Sequence, residues 1–144
     1  MTQAHLMQIL LVEDSLADVE LTLEALADAK IANAVTVVRD GQEALDHLLA
    51  STRGEVERPD LVILDLNLPR LSGHEVLEQM RAHDDLRRTP VAILTTSTAE
   101  KDVVQGYDLG ANCYLTKPVD VEQFVHVVQS IEDFWLGLVR LPPR

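Results

Sequence analysis

Three acids, two threonines and a lysine stand where apolar runs stop. Glu13-Asp14 follows Ile9-Leu10-Leu11-Val12, and Asp65 follows Leu61-Val62-Ile63-Leu64, two residues before Asn67. Thr95-Thr96 follows Val91 to Leu94, and Lys117-Pro118 comes just after the run Asn112 to Leu115. Gathered at one place, three carboxylates would repel and push one another's pKa upward. A hard divalent cation removes that penalty, and a set of oxygen ligands suits Mg²⁺, with Mn²⁺ as the substitute. A lysine ammonium is a compact charge suited to one phosphoryl oxygen. A hydroxyl at Thr95 can donate to another. An aspartate can act as a nucleophile and form an acyl phosphate. Metal and lysine would then offset the charge on the transferring group, which is most of what phosphoryl transfer asks of a protein. Singly these residues are commonplace, since a strand-end acid is often a helix cap and Lys-Pro is usually a turn. Their joint placement at four strand ends is what carries the chemistry.

The elements that must position them follow from the hydrophobic pattern. Ile9–Val12 is a continuous apolar run, as in a strand covered on both faces. Asp14 or Ser15 can cap the helix that follows, with Val19, Leu23 and Leu26 at helical spacing to about Ala29. Val35–Val38 is a second strand, and a helix after Asp40-Gly41 carries Ala44, Leu45, Leu48 and Leu49. Ser51 to Pro59 reads as a loop. Leu61–Leu64 is the third strand, followed by the loop Asn67–Gly73 and a helix marked by Val76, Leu77 and Met80. Strand four is Val91–Leu94, a short helix spans Asp102–Leu109 and stops at Gly110, and strand five is Asn112–Leu115. A long last helix begins at Val121. Five β-α units of this kind give an α/β fold with a parallel sheet and helices on each side. Ligands in such a sheet bind outside the carboxyl ends of the strands.

The 144 residues suffice for one compact domain with a real core, and 1–144 is read as a single domain. A formal net charge of −12 opposes binding to nucleic acid or anionic membrane. No apolar run approaches a membrane span, and Met1–Gln8 has no signal-peptide pattern, so a cytoplasmic location is expected. The single cysteine, Cys113, offers neither an internal disulfide nor a thiolate metal site and reads as a small apolar strand residue. The histidines His5, His47, His74, His83 and His126 show no metal spacing and are expected in solvated positions, so the protein is not the phosphodonor.

Leu11-Val12-Glu13-Asp14, Leu64-Asp65-Leu66-Asn67-Leu68-Pro69, Gly73, Leu94-Thr95-Thr96, Gly110-Ala111 and Lys117-Pro118 resemble, in order and spacing, the response-regulator receiver domain. The resemblance runs over about residues 7 to 130. It implies a flavodoxin-like (βα)5 doubly wound sheet of order 2-1-3-4-5. It implies that Asp65 is the phosphoacceptor for a sensor histidine kinase in a two-component phosphorelay. Asp14 and Asp65 would ligate Mg²⁺ directly, the backbone carbonyl of Asn67 would be a third ligand, and Glu13 would act through a metal-bound water. Lys117 would pair with the phosphoryl group, and the Lys117–Pro118 peptide would be cis. Thr95 would be the switch hydroxyl and Tyr114 the aromatic that turns inward with it, as the helix between strands four and five moves. Such a protein is a signalling receiver, not an enzyme on external substrates. Thr96 departs from the alanine or smaller residue of many members, which leaves turnover of the phosphorylated form open.

The last helix is more apolar than one core face requires. Val121, Phe124, Val125, Val128, Ile131, Trp135, Leu138 and Val139 follow one stripe, while Val127, Phe134 and Leu136 lie off it. An extended helix and tail from about residue 131, stopped at Pro142-Pro143, is expected to make a homodimer contact in a stand-alone regulator with no output domain. This tail resembles the small regulators paired with bacterial phytochrome-type kinases. Three rivals remain beside this reading. An aspartyl-nucleophile phosphatase would need an acid at position 67, where Asn67 stands. An FMN carrier would need a phosphate loop where Glu13-Asp14 would repel it. A degenerate receiver acting only as an interaction module would not need the intact acid, threonine and lysine set.

Overall fold

The computed structural model describes residues 6–95, 110, 111 and 113–138, and for Thr95 and 131–138 the backbone alone. The expected helix over Asp102–Leu109, the side chain of Thr95, all of Thr96 and Ser97, and the tail beyond Leu138 lie outside the described residues.

Five parallel strands form one sheet: β1 (Met7–Val12), β2 (Asn33–Val38), β3 (Leu61–Asp65), β4 (Val91–Thr95) and β5 (Cys113–Thr116). Their spatial order is β2-β1-β3-β4-β5. The described helices are α1 (Leu16–Asp28), α2 (Gly41–Thr52), α3 (Gly73–Ala82) and α4 (Val121–Leu138). The pleat sorts the strand residues onto two faces. Ile9, Leu11, Ile63 and Leu94 pack with Val19 and Leu26 of α1 and Phe124, Val127 and Val128 of α4. Leu10, Val12, Leu64 and Ile93 pack with Leu45 and Leu48 of α2 and Val76, Leu77 and Met80 of α3. All five residues of β3 are buried, because it lies mid-sheet with a helix layer on each face. Each such leucine or isoleucine contributes about 1.5–3 kcal/mol by leaving water.

Local chemistry sets the helix starts. Ser15, not Asp14, caps α1 by accepting from the Asp18 N–H. Asp40 caps α2 through the Glu43 N–H at 2.8 Å. Ser72 and Glu75 form a reciprocal capping box at α3.

Several boundaries differ from the sequence reading. Strand β2 starts at Asn33, because Asn33 Nδ2 donates to the carbonyls of Leu26 and Ile31 and ties the end of α1 to the sheet. Helix α2 runs through Ser51 and Thr52, whose hydroxyls donate back to the carbonyls of Leu48 and Leu49. Val127 is in the core rather than on an outer face: α4 is rotated so that Phe124, Val127 and Val128 face the sheet, with Val121 and Val125 at the margin. His47, His74 and His83 are half-buried rather than solvated, and burial lowers the pKa of His47. Cys113 is half-buried against the α1–α4 face, and burial pushes its thiol up to about 11.

Candidate functional site

The carboxyl ends of β1, β3 and β5 bring the chemistry together. Beyond β1, the Glu13 N–H donates to the Val38 carbonyl at 3.1 Å, which continues the strand by one residue. That step turns the Glu13 side chain into the protein, where it is fully buried. Asp14 follows, exposed, with its backbone carbonyl held by Arg39 Nη2 at 2.6 Å. Asp65 ends β3 and is 3% exposed. The chain then doubles back so closely that a Cβ on Gly73 would stand 2.2 Å from the Asp65 carbonyl oxygen. Only glycine fits there, and the Gly73 N–H donates to the Leu66 carbonyl at 3.1 Å.

Lys117 leaves β5 through a cis peptide to Pro118, as the resemblance implied. Gln123 of α4 brackets this turn. Its Oε1 accepts from the Thr116 N–H at 2.9 Å, and its Nε2 donates to the carbonyls of Thr116 and Pro118 at 3.2 and 3.3 Å. The braced lysine points along the sheet edge. Its Nζ lies 2.6 Å from Glu13 Oε1, 2.9 Å from Asp65 Oδ2 and 3.2 Å from Asp18 Oδ2. Hydrogen bonds run to Asp65 and Asp18; the Glu13 contact is an ion pair, and Glu13 Oε1 has no hydrogen-bond partner. The second Asp65 oxygen accepts from the Asn67 N–H at 3.1 Å, and Glu13 Oε2 accepts from the Ser15 N–H at 3.1 Å.

One ammonium thus faces three carboxylates, with the Asp14 carboxylate beside Glu13 and Asp65. Burial pushes Glu13 up to about 7, and the neighbouring Asp65 charge adds to this; Lys117 and the Ser15 N–H pull the other way without cancelling it. Burial alone would lower the Lys117 pKa, but contacts with Glu13, Asp65 and Asp18 outweigh it and the ammonium is held charged. Glu13, Asp14 and Asp65 each present an oxygen, all within 4.8 Å of one another. Oxygens about 2.1 Å from one octahedral ion lie about 3 Å apart when adjacent and about 4 Å when opposite. The donor set, its unbalanced charge and the Glu13 oxygen without a hydrogen bond therefore fit a hard divalent cation.

Of the residues singled out from sequence, Glu13, Asp14, Asp65 and Lys117 come together, and Asn67 joins through its backbone. Tyr114 is half-buried and packs on the α2–α3 face of the sheet. Thr95 closes β4 beside Thr116. Asp18, Arg39 and Gln123 were not singled out. A possible signal existed only for Asp18, an acid in a helix's first turn, and the helix dipole already accounts for such an acid.

A doubly wound sheet with an acidic, lysine-bearing pocket at its carboxyl edge is the architecture of a receiver, a phosphorylation-controlled signalling domain. Residues 9–129 match the response regulator receiver domain, and the chain belongs to that family. It is 47% identical over 137 residues to response regulator Rcp1 of Synechocystis sp. (strain ATCC 27184 / PCC 6803 / Kazusa), covering 93% of this chain and 92% of that protein. The Mn²⁺-bound structure of Rcp1 matches with a TM-score of 0.72 at 44% identity, covering 95% of this chain and 99% of that one. The bacteriophytochrome response regulator RtBRR matches with a TM-score of 0.79 at 46% identity, covering 96% and 85%. The phosphorylated cyanobacterial phytochrome response regulator RcpA matches with a TM-score of 0.75 at 43% identity, covering 96% and 100%. The protein is a response regulator of two-component signalling. Among the described residues no helix is long and apolar enough to cross a membrane.

Proposed function

We propose that Asp65 accepts a phosphoryl group from a phytochrome-type sensor histidine kinase in the cytoplasm, with Mg²⁺ held by Asp14, Asp65 and the carbonyl of Asn67, and with Glu13 acting through a bound water. The observation that carries this reading is the Asp65 carboxylate, buried at a strand end, with Lys117 Nζ at 2.9 Å on one oxygen and the Asn67 N–H at 3.1 Å on the other. An Asp65 oxygen attacks phosphorus, a new O–P bond forms, and the bond to the donor breaks with its electrons leaving on the donor. The bound cation would supply positive charge beside the phosphoryl oxygens. Lys117 offers a fixed ammonium to those oxygens, and the buried setting strengthens that attraction. The Asn67 N–H holds the carboxylate plane. The chemistry is confined to the protein's own aspartate, so it turns over no external substrate.

Phosphorylation then draws the Thr95 hydroxyl toward the new charge, and Tyr114 turns further into the sheet face on which it already packs. The chain 1–144 works as one receiver domain. Its last helix, 18 residues and so about 27 Å long, pairs with a second copy together with the tail beyond it. In support, the helix carries Ile131, Phe134, Trp135, Leu136 and Leu138 after its buried Val128, more than one core stripe takes. Similarity to RtBRR and RcpA favours the phytochrome class of kinase.

Phosphotransfer from a panel of sensor kinases, with Mg²⁺ present and then chelated, tests the reading. Label is expected on the wild type from a phytochrome-type kinase only with the cation, and none on Asp65→Asn. Sedimentation velocity at micromolar concentration tests the pairing; a strict monomer would rule it out.

A further inference from the structure

We propose that Asp18 is a positioning residue for Lys117: it fixes the direction of the ammonium so that one N–H stays aimed at the group carried by Asp65. This rests on the reading of Asp65 as phosphoacceptor and adds to it a residue from a different element. Asp18 lies in the first turn of α1, 99 residues from Lys117 in the chain, and its Oδ2 accepts from Nζ at 3.2 Å. An acid there would serve the helix dipole wherever its side chain pointed. The cap is already made by Ser15, whose Oγ accepts from the Asp18 N–H at 3.3 Å. Yet the Asp18 carboxylate leans over the sheet edge onto a lysine whose side chain is only 11% exposed.

The surroundings of Nζ give that contact its purpose. An ammonium has three N–H groups on a flexible four-carbon stem. Glu13 meets it from the buried side as an ion pair at 2.6 Å, with Oε1 making no hydrogen bond. Among the described residues its hydrogen bonds are to Asp65 Oδ2 and Asp18 Oδ2. When Asp65 becomes an acyl phosphate, its carboxylate charge moves out onto the phosphoryl oxygens and the first of these acceptors changes. Asp18, 32% exposed on the solvent side, is then the acceptor that stays. With it in place, the ammonium is held between an inner and an outer acid, and a remaining N–H points into the space beside Asp65. Without it, the ammonium can swing on its stem, and the charge arrives at the phosphoryl group less well oriented.

Phosphorylation by acetyl phosphate at saturating Mg²⁺ tests this on the full chain, alongside calorimetric titration of Mg²⁺ and a thermal melt. Asp18→Ala is expected to slow labelling about tenfold, the size of one lost hydrogen bond to a charged group, with Mg²⁺ affinity changed less than about twofold. Asp18→Asn keeps an acceptor oxygen at the same reach and should recover most of the rate. If Asp18→Ala melts at the assay temperature, Asp18→Leu, similar in shape and without an acceptor, takes its place. Labelling of the acceptor-free variant as fast as wild type would overturn the proposal. Faster labelling would do so too, because the acid would then act only as a repelling charge. An Asp18→Asn protein as slow as Asp18→Ala would also contradict it, since charge rather than orientation would be what matters. If the wild type takes no label, the reading of Asp65 fails and this inference falls with it; if the wild type is labelled normally, only the role of Asp18 is in question.

Discussion

Lys117 Nζ and Glu13 Oε1 lie 2.6 Å apart at the carboxyl edge of the sheet, and Glu13 is completely buried there. A buried carboxylate is costly unless paired, and this one is paired with an ammonium that two other acids also engage. The result is a carboxyl group that burial holds near pH 7.

That shift makes the stability of the cation-free protein depend on pH. The folded state holds the Glu13 proton up to about pH 7, whereas an unfolded chain gives it up near the ordinary 4.5. The stabilising contribution is therefore complete below about pH 4.5 and is lost as pH rises toward 7. Its size is about 3 kcal/mol, at 1.36 kcal/mol per pH unit. Urea midpoints measured from pH 4.5 to 7.5 in chelator should fall more steeply for wild type than for Glu13→Gln. Equal slopes would show that Glu13 titrates normally.

Divalent cation should reverse the same penalty. With millimolar Mg²⁺ or Mn²⁺ the neutral-pH melting temperature should rise by several degrees, since a ligand bound only by the folded state stabilises it by mass action. Asp14→Asn should weaken the binding at least tenfold in a calorimetric titration. An unchanged affinity would remove Asp14 from the ligand set.

Gly73 supports the site from behind. A Cβ at this position would meet the Asp65 carbonyl oxygen at 2.2 Å and the Leu66 Cα at 2.8 Å, and both are backbone atoms that cannot swing aside. Gly73→Ala should cost about 1–3 kcal/mol by overpacking and displace the end of β3. Denaturant unfolding measures the first effect, and a drop in acetyl phosphate labelling measures the second. A variant with wild-type values in both would mean that the loop repacks freely.

Gln123 makes a parallel case on the other side of the pocket. It spans the Thr116–Pro118 turn with three hydrogen bonds. Gln123→Ala leaves the exposed Thr116 N–H to water and should cost about 0.5–1.5 kcal/mol. Because Lys117 sits inside the bracket, labelling should slow as well. Gln123→Glu keeps the acceptor for Thr116 and loses the two donors, so an intermediate effect is expected in the same two assays.

The strands and the residues at their ends were legible because one signal fixes both. A parallel strand buried on both faces is a continuous apolar run, and its end is where the first charged residue appears, at Glu13 and at Asp65. Asp18, Arg39 and Gln123 escaped because each reaches its partner across the fold from a position that local rules already explain, in a helical first turn or at the end of a strand. Val127 was misread because an apolar arc as wide as that of α4 admits more than one stripe at a period of 3.6, and only docking against β5 and α1 selects the face. The half-burial of His47 has a similar origin, a residue beside the core stripe shielded by its neighbours, whereas His83 is the C-cap of α3 and its Nδ1 accepts from the Asp85 N–H at 3.1 Å.

The most direct measurement locates the phosphoryl group. After incubation with acetyl phosphate and Mg²⁺, borohydride reduction turns an aspartyl phosphate into homoserine, which peptide mass spectrometry can place. Reduction is expected at position 65, absent when the cation is chelated and absent in Asp65→Asn. Homoserine at another aspartate, or label on Asp65→Asn equal to wild type, would contradict it.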